Sequence, residues 1–148
     1  YLSSVKDFDK DNPKFRWQKK FSNEELVDLF PKIGGLKDIE ILNITSTGRV
    51  KNVKLFGFYG SDQMSGVDLR KRLDLNSNLM RFKFFDEEPN NKFPIKKGLL
   101  VFGQGSGHGV GMSQWGAKYM ASKGQKAGEI LKHYYRGVQI KPFSKDYL

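Results

Sequence analysis

The stretch KDIEILNITSTGRVKNVKLFGFYG, residues 37–60, contains two extended segments joined by a short polar turn. Ile39 and Ile41 occupy alternate positions in the first segment, and apolar residues resume at Val53 in the second. The sequence Ser-Thr-Gly at 46–48 separates the two segments. Alternation with a period of two on both sides of a glycine-containing turn is typical of a β-hairpin. An antiparallel hairpin is therefore the central predicted element of the fold.

Short helices are predicted on both sides of this hairpin, because each begins with a serine positioned to cap it. Ser22 precedes Glu25 with the spacing of a capping box, and the apolar stripe that follows ends at Pro31. Ser65 repeats the pattern with Asp68. Further strands are expected in three segments with alternating or apolar character: FRWQKKF at 15–21, the phenylalanines at 82–85, and GLLVFG at 98–103.

The C-terminal part begins with a glycine-rich loop in GQGSGHGVGMSQWGAKYMASKG, residues 103–124. Bulky side chains then recur at helical spacing: Met112, Trp115, Tyr119 and Met120. We expect this stripe to lie mostly in the core, with Trp115 at the loop edge, where it could stack on a sugar. AGEILKHYYRG at 127–137 predicts a second helix that ends at Gly137. The predicted fold class is α+β, a single domain with an early antiparallel β-hairpin and sheet and a C-terminal helical pair after the glycine-rich loop.

Composition limits the possible classes of protein. The chain has 148 residues, of which 38% are hydrophobic, and this suits one globular domain with a real core. It has no cysteine, so disulfides and thiolate metal sites are excluded, while the redox compartment stays open. No stretch reaches the roughly 18 apolar residues of a membrane span.

The net charge of +10 indicates an anionic partner. Nucleic acid, anionic lipid and an acidic cell-wall polymer all fit this charge, and the alternative is a solvated basic surface that keeps the protein soluble. No RNA-recognition or helix-turn-helix motif supports binding to nucleic acid, so we predict no nucleic-acid partner.

His108 lies within the closely spaced glycines of GSGHGVG, residues 105–111. A dinucleotide site would need a βαβ repeat and an acidic residue about 20 positions further on, and the sequence has neither in place. Glycines permit positive φ and a close approach of a ligand, and the helix that follows offers free amides to anions. We therefore favour a functional site over a packed turn in which His108 merely bonds a carbonyl. His133 is different, since it lies in the last turn of a predicted helix, where a structural role is favoured; two histidines without ligand spacing predict no metal site.

These residues resemble a known family. GSGHGVGMSQWGAKYMASKG at 105–124, ILKHYYRGVQI at 130–140, TGRVKNVKLFG at 47–57 and SGVDLRKRLDLNSNLMRF at 65–82 are similar to segments of the SpoIID/LytB family, which comprises stage II sporulation protein D and amidase enhancers. The resemblance covers nearly the whole chain. It implies that residues 1–148 form the C-terminal part of a SpoIID-like domain whose N-terminal part is absent from this chain.

The resemblance implies action on peptidoglycan in the cell envelope, outside the cytoplasm. Family members of this kind are lytic transglycosylases that cut between N-acetylmuramic acid and N-acetylglucosamine and leave an anhydro end. A single carboxylic acid serves this reaction, first as acid and then as base toward the sugar's own 6-hydroxyl. The family's catalytic Glu lies upstream of the segment that matches Tyr1, as do the zinc ligands of some members. Whether this chain is an enzyme by itself is therefore left open, and no cofactor is expected.

The same resemblance assigns candidate site residues in this sequence. His108 would support catalysis without being the general acid, and substrate would bind at Ser113, Gln114, Trp115 and Arg70, the last of which would hold a carboxylate or brace the loop. The chain's own glutamates near predicted turns and caps are not convincing acids: Glu24, Glu25, Glu87 and Glu88. The expected partners are peptidoglycan glycan strands and a cell-wall amidase. The alternative function is a non-catalytic wall-binding module that enhances an N-acetylmuramoyl-L-alanine amidase.

Overall fold

A computed structural model of the chain describes residues 15–107, 109 and 111–141. The described residues form two compact units, the first ending at Gly109 and the second beginning at Gly111. Six strands and two helices belong to the first unit, and the second contains a pair of helices. The predicted α+β class, with an antiparallel hairpin and a C-terminal helical pair, is confirmed.

Two three-stranded antiparallel sheets make up most of the first unit. The strands are β1 (Arg16–Phe21), β2 (Asp38–Ile44), β3 (Val50–Phe56), β4 (Ser61–Ser65), β5 (Met80–Glu87) and β6 (Lys96–Gln104). Sheet A has the order β1-β6-β5, and sheet B has the order β2-β3-β4. The helices of this unit are α1 (Asn23–Leu29) and α2 (Gly66–Arg72), with a single 3-10 turn at Pro31–Ile33.

The predicted hairpin is the pair β2–β3, in which Ile39 faces Leu55 and Ile41 faces Val53. Gly48 turns the chain with a φ of 76°, a conformation that glycine adopts without a steric penalty. The sequence analysis did not predict β4, which pairs with the other side of β3. Its sequence, SDQMS, is polar because β4 is an exposed edge strand, and polar edge strands lack the apolar alternation that marks a strand.

Both predicted serine caps are present. The Ser22 hydroxyl accepts the Glu25 amide at 3.2 Å, and the Glu25 carboxylate accepts the Ser22 amide at 2.8 Å, which completes the capping box. The Ser65 hydroxyl accepts the Asp68 amide at 3.0 Å. These bonds satisfy backbone donors that have no partner within the helix, and they fix where α1 and α2 begin.

A continuous apolar core holds the first unit together. Leu26 of α1 and Leu69 of α2 are completely buried, together with Val101 of β6. Burying a side chain of this size stabilises the fold by about 1.5–3 kcal/mol relative to leaving it exposed. The buried apolar residues of this cluster are Phe21, Leu26, Phe30, Ile33, Leu36, Val50, Val53, Leu55, Leu69, Leu73, Leu75, Met80, Leu99 and Val101.

The second unit contains α3 (Gln114–Ser122) and α4 (Ala127–Tyr134), in agreement with the predicted helical pair. Met120 of α3 packs with Ile130 and Tyr134 of α4. The expectation that this stripe of bulky side chains lies mostly in the core is confirmed for Met120. Met112 and Trp115 are each 39% exposed. Gly116 and Met120 lie one turn apart on the buried side of α3, so the residue before Gly116 is rotated away from it. Within the described residues, no helix has the length and apolar content needed to cross a bilayer.

Candidate functional site

The first part of the glycine-rich loop is held by hydrogen bonds to the chain between α2 and β5. The Gly107 amide donates to the Asn76 carbonyl at 2.7 Å. The Ser77 hydroxyl, which is completely buried, donates to the Gln104 carbonyl at 2.5 Å. Ser77 and Gly107 also form an isolated parallel bridge. The loop is therefore tied to the first unit at several points, despite its glycine content.

The Arg49 side chain also contacts this part of the loop. Its guanidinium donates to the Gly107 carbonyl at 3.4 Å and to Asn78 Oδ1 at 3.2 Å. Asn78 is buried and donates in turn to the Val50 carbonyl at 3.3 Å. A Cβ on Gly109 would overlap the Arg49 guanidinium, so only glycine fits there without displacement.

Arg49 and Asn78 were not predicted as site residues from the sequence. Arg49 follows the hairpin turn and lies far from the loop in the sequence, so no local spacing connects the two. Asn78 did leave a signal: it belongs to the polar run 76–78 between two leucines, and buried polar residues need specific partners.

Trp17 of β1 also anchors the loop. Its indole Nε1 donates to the Gly105 carbonyl at 3.1 Å. The indole ring lies across Gly103, where a Cβ would overlap it. The four alternating glycines of the loop have φ values between 70° and 90°, which other residues rarely adopt: Gly105, Gly107, Gly109 and Gly111. His108, the candidate supporting residue, lies outside the described residues.

Three of the predicted substrate-binding residues lie together at the start of α3. Ser113 is the N-cap, and its hydroxyl accepts the Gly116 amide at 3.0 Å. Gln114 is the first helical residue, and its side chain is exposed. Trp115 is partly exposed, and the Lys118 ammonium lies 4.9 Å from the centroid of its ring. This end of α3 thus offers an aromatic face, an amide side chain and the positive partial charge at the N-terminus of the helix dipole.

Arg70, the fourth candidate, belongs to α2 in the first unit. Its Nε donates to the Asn76 carbonyl at 3.3 Å, and the same carbonyl accepts the Gly107 amide. Arg70 therefore contacts the segment that holds the loop. The binding roles assigned to Arg70 and to the α3 residues stay predictions.

Glu25 and Glu87, two of the glutamates considered as acids, are engaged in structural contacts. Glu25 caps α1, and its hydrogen bonds to the Ser22 backbone and side chain hold its pKa below the ordinary value, the opposite of what proton donation needs. Glu87 accepts the Asn23 amide at 3.3 Å and lies 3.6 Å from the Lys96 ammonium. In the described part of the chain, no three His, Cys, Asp or Glu side chains are placed to hold a metal ion. His133 lies edge-on to Tyr134 with ring centroids 4.9 Å apart.

Comparison with known proteins gives both a family and curated relatives. The model of a family described as a domain of unknown function, DUF8618, matches residues 1–111 of the 148. Stage II sporulation protein D of Bacillus subtilis (strain 168) is 34% identical over 143 residues, which are 95% of this chain and 38% of that protein. The protein of the same name in Bacillus amyloliquefaciens is 33% identical over 145 residues, with the same two shares.

A shorter match links the chain to a protein of a different name. The amidase enhancer of Bacillus subtilis (strain 168) is 50% identical over 40 residues, which are 27% of this chain and 6% of that protein. The chain spans 38% of the length of the two sporulation proteins that it matches. The chain therefore belongs to the DUF8618 domain family, and its resemblance to the SpoIID/LytB family is confirmed by relatives named stage II sporulation protein D and amidase enhancer.

Proposed function

We propose that this chain is the substrate-binding part of a peptidoglycan-active module with a cell-wall role in sporulation. The complete module would cut glycan strands between N-acetylmuramic acid and N-acetylglucosamine and leave an anhydro end. The observation that carries this proposal is the match to two proteins named stage II sporulation protein D through 95% of the chain. The activity would take place outside the cytoplasm, where peptidoglycan is found.

The start of α3 supports a role in binding sugar. An exposed indole such as that of Trp115 offers a flat apolar surface to the C–H face of a pyranose, and the Gln114 amide can bond hydroxyl groups. The N-terminal end of α3 favours a carboxylate, such as the lactyl group of muramic acid. His108 would orient the reacting groups from the loop just before this helix.

The catalytic acid in this proposal comes from the segment that the family resemblance places upstream. That carboxylic acid protonates the glycosidic oxygen as the bond to it breaks. The resulting carboxylate then removes the proton from the sugar's 6-hydroxyl, whose oxygen closes the anhydro ring in place of water. The residues of this chain hold the glycan so that these groups meet in the required geometry.

Such positioning requires a rigid loop, and the hydrogen bonds from Arg49, Ser77 and Trp17 hold its first part, up to Gly107. The net charge of +10 suits a polymer that carries carboxylates on its muramic acid residues and peptide stems. Both observations also fit the second candidate, a non-catalytic wall-binding module that enhances an amidase, which the match to the amidase enhancer favours.

Purified sacculi distinguish the two candidates. The longer protein that carries this chain is incubated with sacculi, and the soluble products are analysed by mass spectrometry. Anhydro-muramyl ends that disappear with His108→Ala support glycan cleavage, with Lys51→Gln as a control on an exposed strand position. If sacculi bind the protein without anhydro products, and a purified amidase then releases more peptide in its presence, the enhancer function replaces the first proposal.

A further inference from the structure

Sheet A carries a groove that contains none of the candidate catalytic and substrate-binding residues, although Trp17, which anchors the loop, belongs to its lining. The groove has a volume of about 620 Å³, within the range of about 300–1,000 Å³ typical of ligand sites. Its apolar lining includes Trp17, Leu79 and Phe102. Phe102 of β6 is 40% exposed, although Leu99 and Val101 of the same strand are completely buried. Ligand sites are typically lined by aromatic and apolar side chains with a few polar groups among them.

Polar and cationic side chains surround this ring on both neighbouring strands. Phe102 pairs with Gln18 of β1 on one side and with Arg81 of β5 on the other. Arg16 and Gln104 form the next pair along the same face. All five of these residues line the groove, as does Trp17 of β1.

The electrostatics of the groove favour an anionic ligand. No Asp or Glu lines it. In the part of the chain that the structure describes, the guanidinium groups of Arg16 and Arg81 have no hydrogen-bond or ion-pair partner. Lys20 and Lys83, which both pair with Leu100, continue the positive face along the sheet. Guanidinium groups bind carboxylates through two parallel hydrogen bonds, so unpartnered arginines on each side of a ring suit a carboxylate-bearing ligand.

We propose that this groove is a second binding site, for an acidic sugar of a peptidoglycan glycan strand. The inference rests on the proposed function and deepens it. The Phe102 ring takes the apolar face of a pyranose, Gln18 and Gln104 bond its hydroxyl and acetamido groups, and Arg16 or Arg81 binds the lactyl carboxylate. Single-stranded nucleic acid is the competing ligand, because two aromatic rings, those of Trp17 and Phe102, line the groove beside its positive charges. The side-chain amides of Gln18 and Gln104 favour the sugar, whose hydroxyl and acetamido groups match their donors and acceptors.

The test is an NMR titration of the full chain with a short N-acetylglucosamine–N-acetylmuramic acid oligosaccharide that lacks peptides. The expected result is saturable shifts of the Phe102 ring and the Arg81 Nε–H signals. Reducing the lactyl carboxylate to an alcohol in an oligosaccharide of the same length weakens this binding at least about fivefold, because the charge-assisted bonds are lost. Arg81→Gln and Arg16→Gln each weaken it by a similar factor.

Lys51→Gln is the matched control, since it removes one positive charge from an exposed position of β3 in the same unit. Its affinity stays within about twofold of the parent if site-specific contacts outweigh the general charge. The proposal is overturned if no saturable shifts appear, if neither arginine variant weakens binding, or if the reduced oligosaccharide binds equally well. A single-stranded oligonucleotide that displaces the glycan at lower concentration also overturns it, in favour of nucleic acid.

The outcome is separable from that of the sacculus experiment. Phe102 signals that shift while no anhydro ends are released support the groove and contradict the cleavage proposal. Released anhydro ends with unshifted Phe102 signals support cleavage and overturn the groove.

Discussion

The guanidinium of Arg49 occupies the space that a Cβ on Gly109 would need, although the two residues are 60 positions apart in the sequence. Gly109 also has a φ of 75°, in the region that non-glycine residues rarely adopt. We therefore predict that Gly109→Ala lowers the free energy of unfolding through both effects. The backbone penalty is about 1–2 kcal/mol. Displacing the Arg49 guanidinium from its hydrogen bonds to Asn78 and Gly107 adds about 1 kcal/mol. Urea unfolding followed by circular dichroism measures the sum.

Gly107→Ala is the matched control for this prediction. Gly107 has a φ of 76°, nearly the same as that of Gly109, but a Cβ there would meet no atom within 4 Å. Gly107→Ala should therefore lower the free energy of unfolding by the backbone penalty alone. The difference in unfolding free energy between the two variants then measures the contact with Arg49. In an Arg49→Ala background this difference should vanish. Equal losses for the two variants in the parent background would contradict the placement of Arg49 against the loop.

Ser113→Ala should destabilise α3 by about 1 kcal/mol, the usual loss when a helix N-cap is removed. The Ser113 hydroxyl accepts the Gly116 amide, and alanine leaves this donor without its partner. Hydrogen exchange at the Gly116 amide measures the effect locally, and protection there should fall about fivefold. Ser113→Asp restores a cap and should restore protection.

A control for this prediction is available at the other end of the same helix. The Ser122 hydroxyl donates to the Tyr119 carbonyl at 2.7 Å on an exposed surface, and it caps no amide. Ser122→Ala should leave protection at Gly116 unchanged. Loss of Gly116 protection in both variants would indicate general fraying of α3 instead of a lost cap.

Most of the helices and strands could be predicted from the sequence, because each is determined by side chains that lie close together along the chain. The Ser22–Glu25 box and the β2–β3 turn at Gly48 are determined by side chains only a few residues apart. The loop anchor is different, because Arg49 reaches Gly107 only after sheet B and the segment before β5 have folded. No periodicity encodes such a contact, so the candidate site was predicted from its glycines and from family resemblance.

The stability of α1 should depend on pH through Glu25. Hydrogen bonds from the Ser22 backbone and side chain lower its pKa in the folded protein. A lowered folded-state pKa means that the carboxylate stabilises the fold above its unfolded-state pKa of about 4.3, and that this contribution is lost as the pH falls through the folded-state value. Unfolding free energies of the parent and Glu25→Gln should therefore differ most near neutral pH and converge in acid.

Glu24→Gln controls for the loss of one negative charge near the start of α1. Glu24 is in the same first turn, where an acidic residue interacts favourably with the helix dipole, but the capping box uses Glu25. At neutral pH, Glu24→Gln should therefore lower the free energy of unfolding by less than Glu25→Gln does. If the two differences follow the same pH curve, the capping bonds are not the source of the pH dependence.

Trp115→Ala should weaken binding of the protein to sacculi if its exposed ring stacks on sugar. The ring is 39% exposed, and the buried contacts of α3 are made by Met120, so removing the indole leaves the helix packing in place. We expect a loss of about fivefold in affinity, comparable to a stacking contact of about 1 kcal/mol. Trp115→Phe keeps an aromatic face and should retain most of the binding. Co-sedimentation with sacculi measures both variants, and equal retention of Trp115→Ala and the parent protein would remove Trp115 from the proposed site.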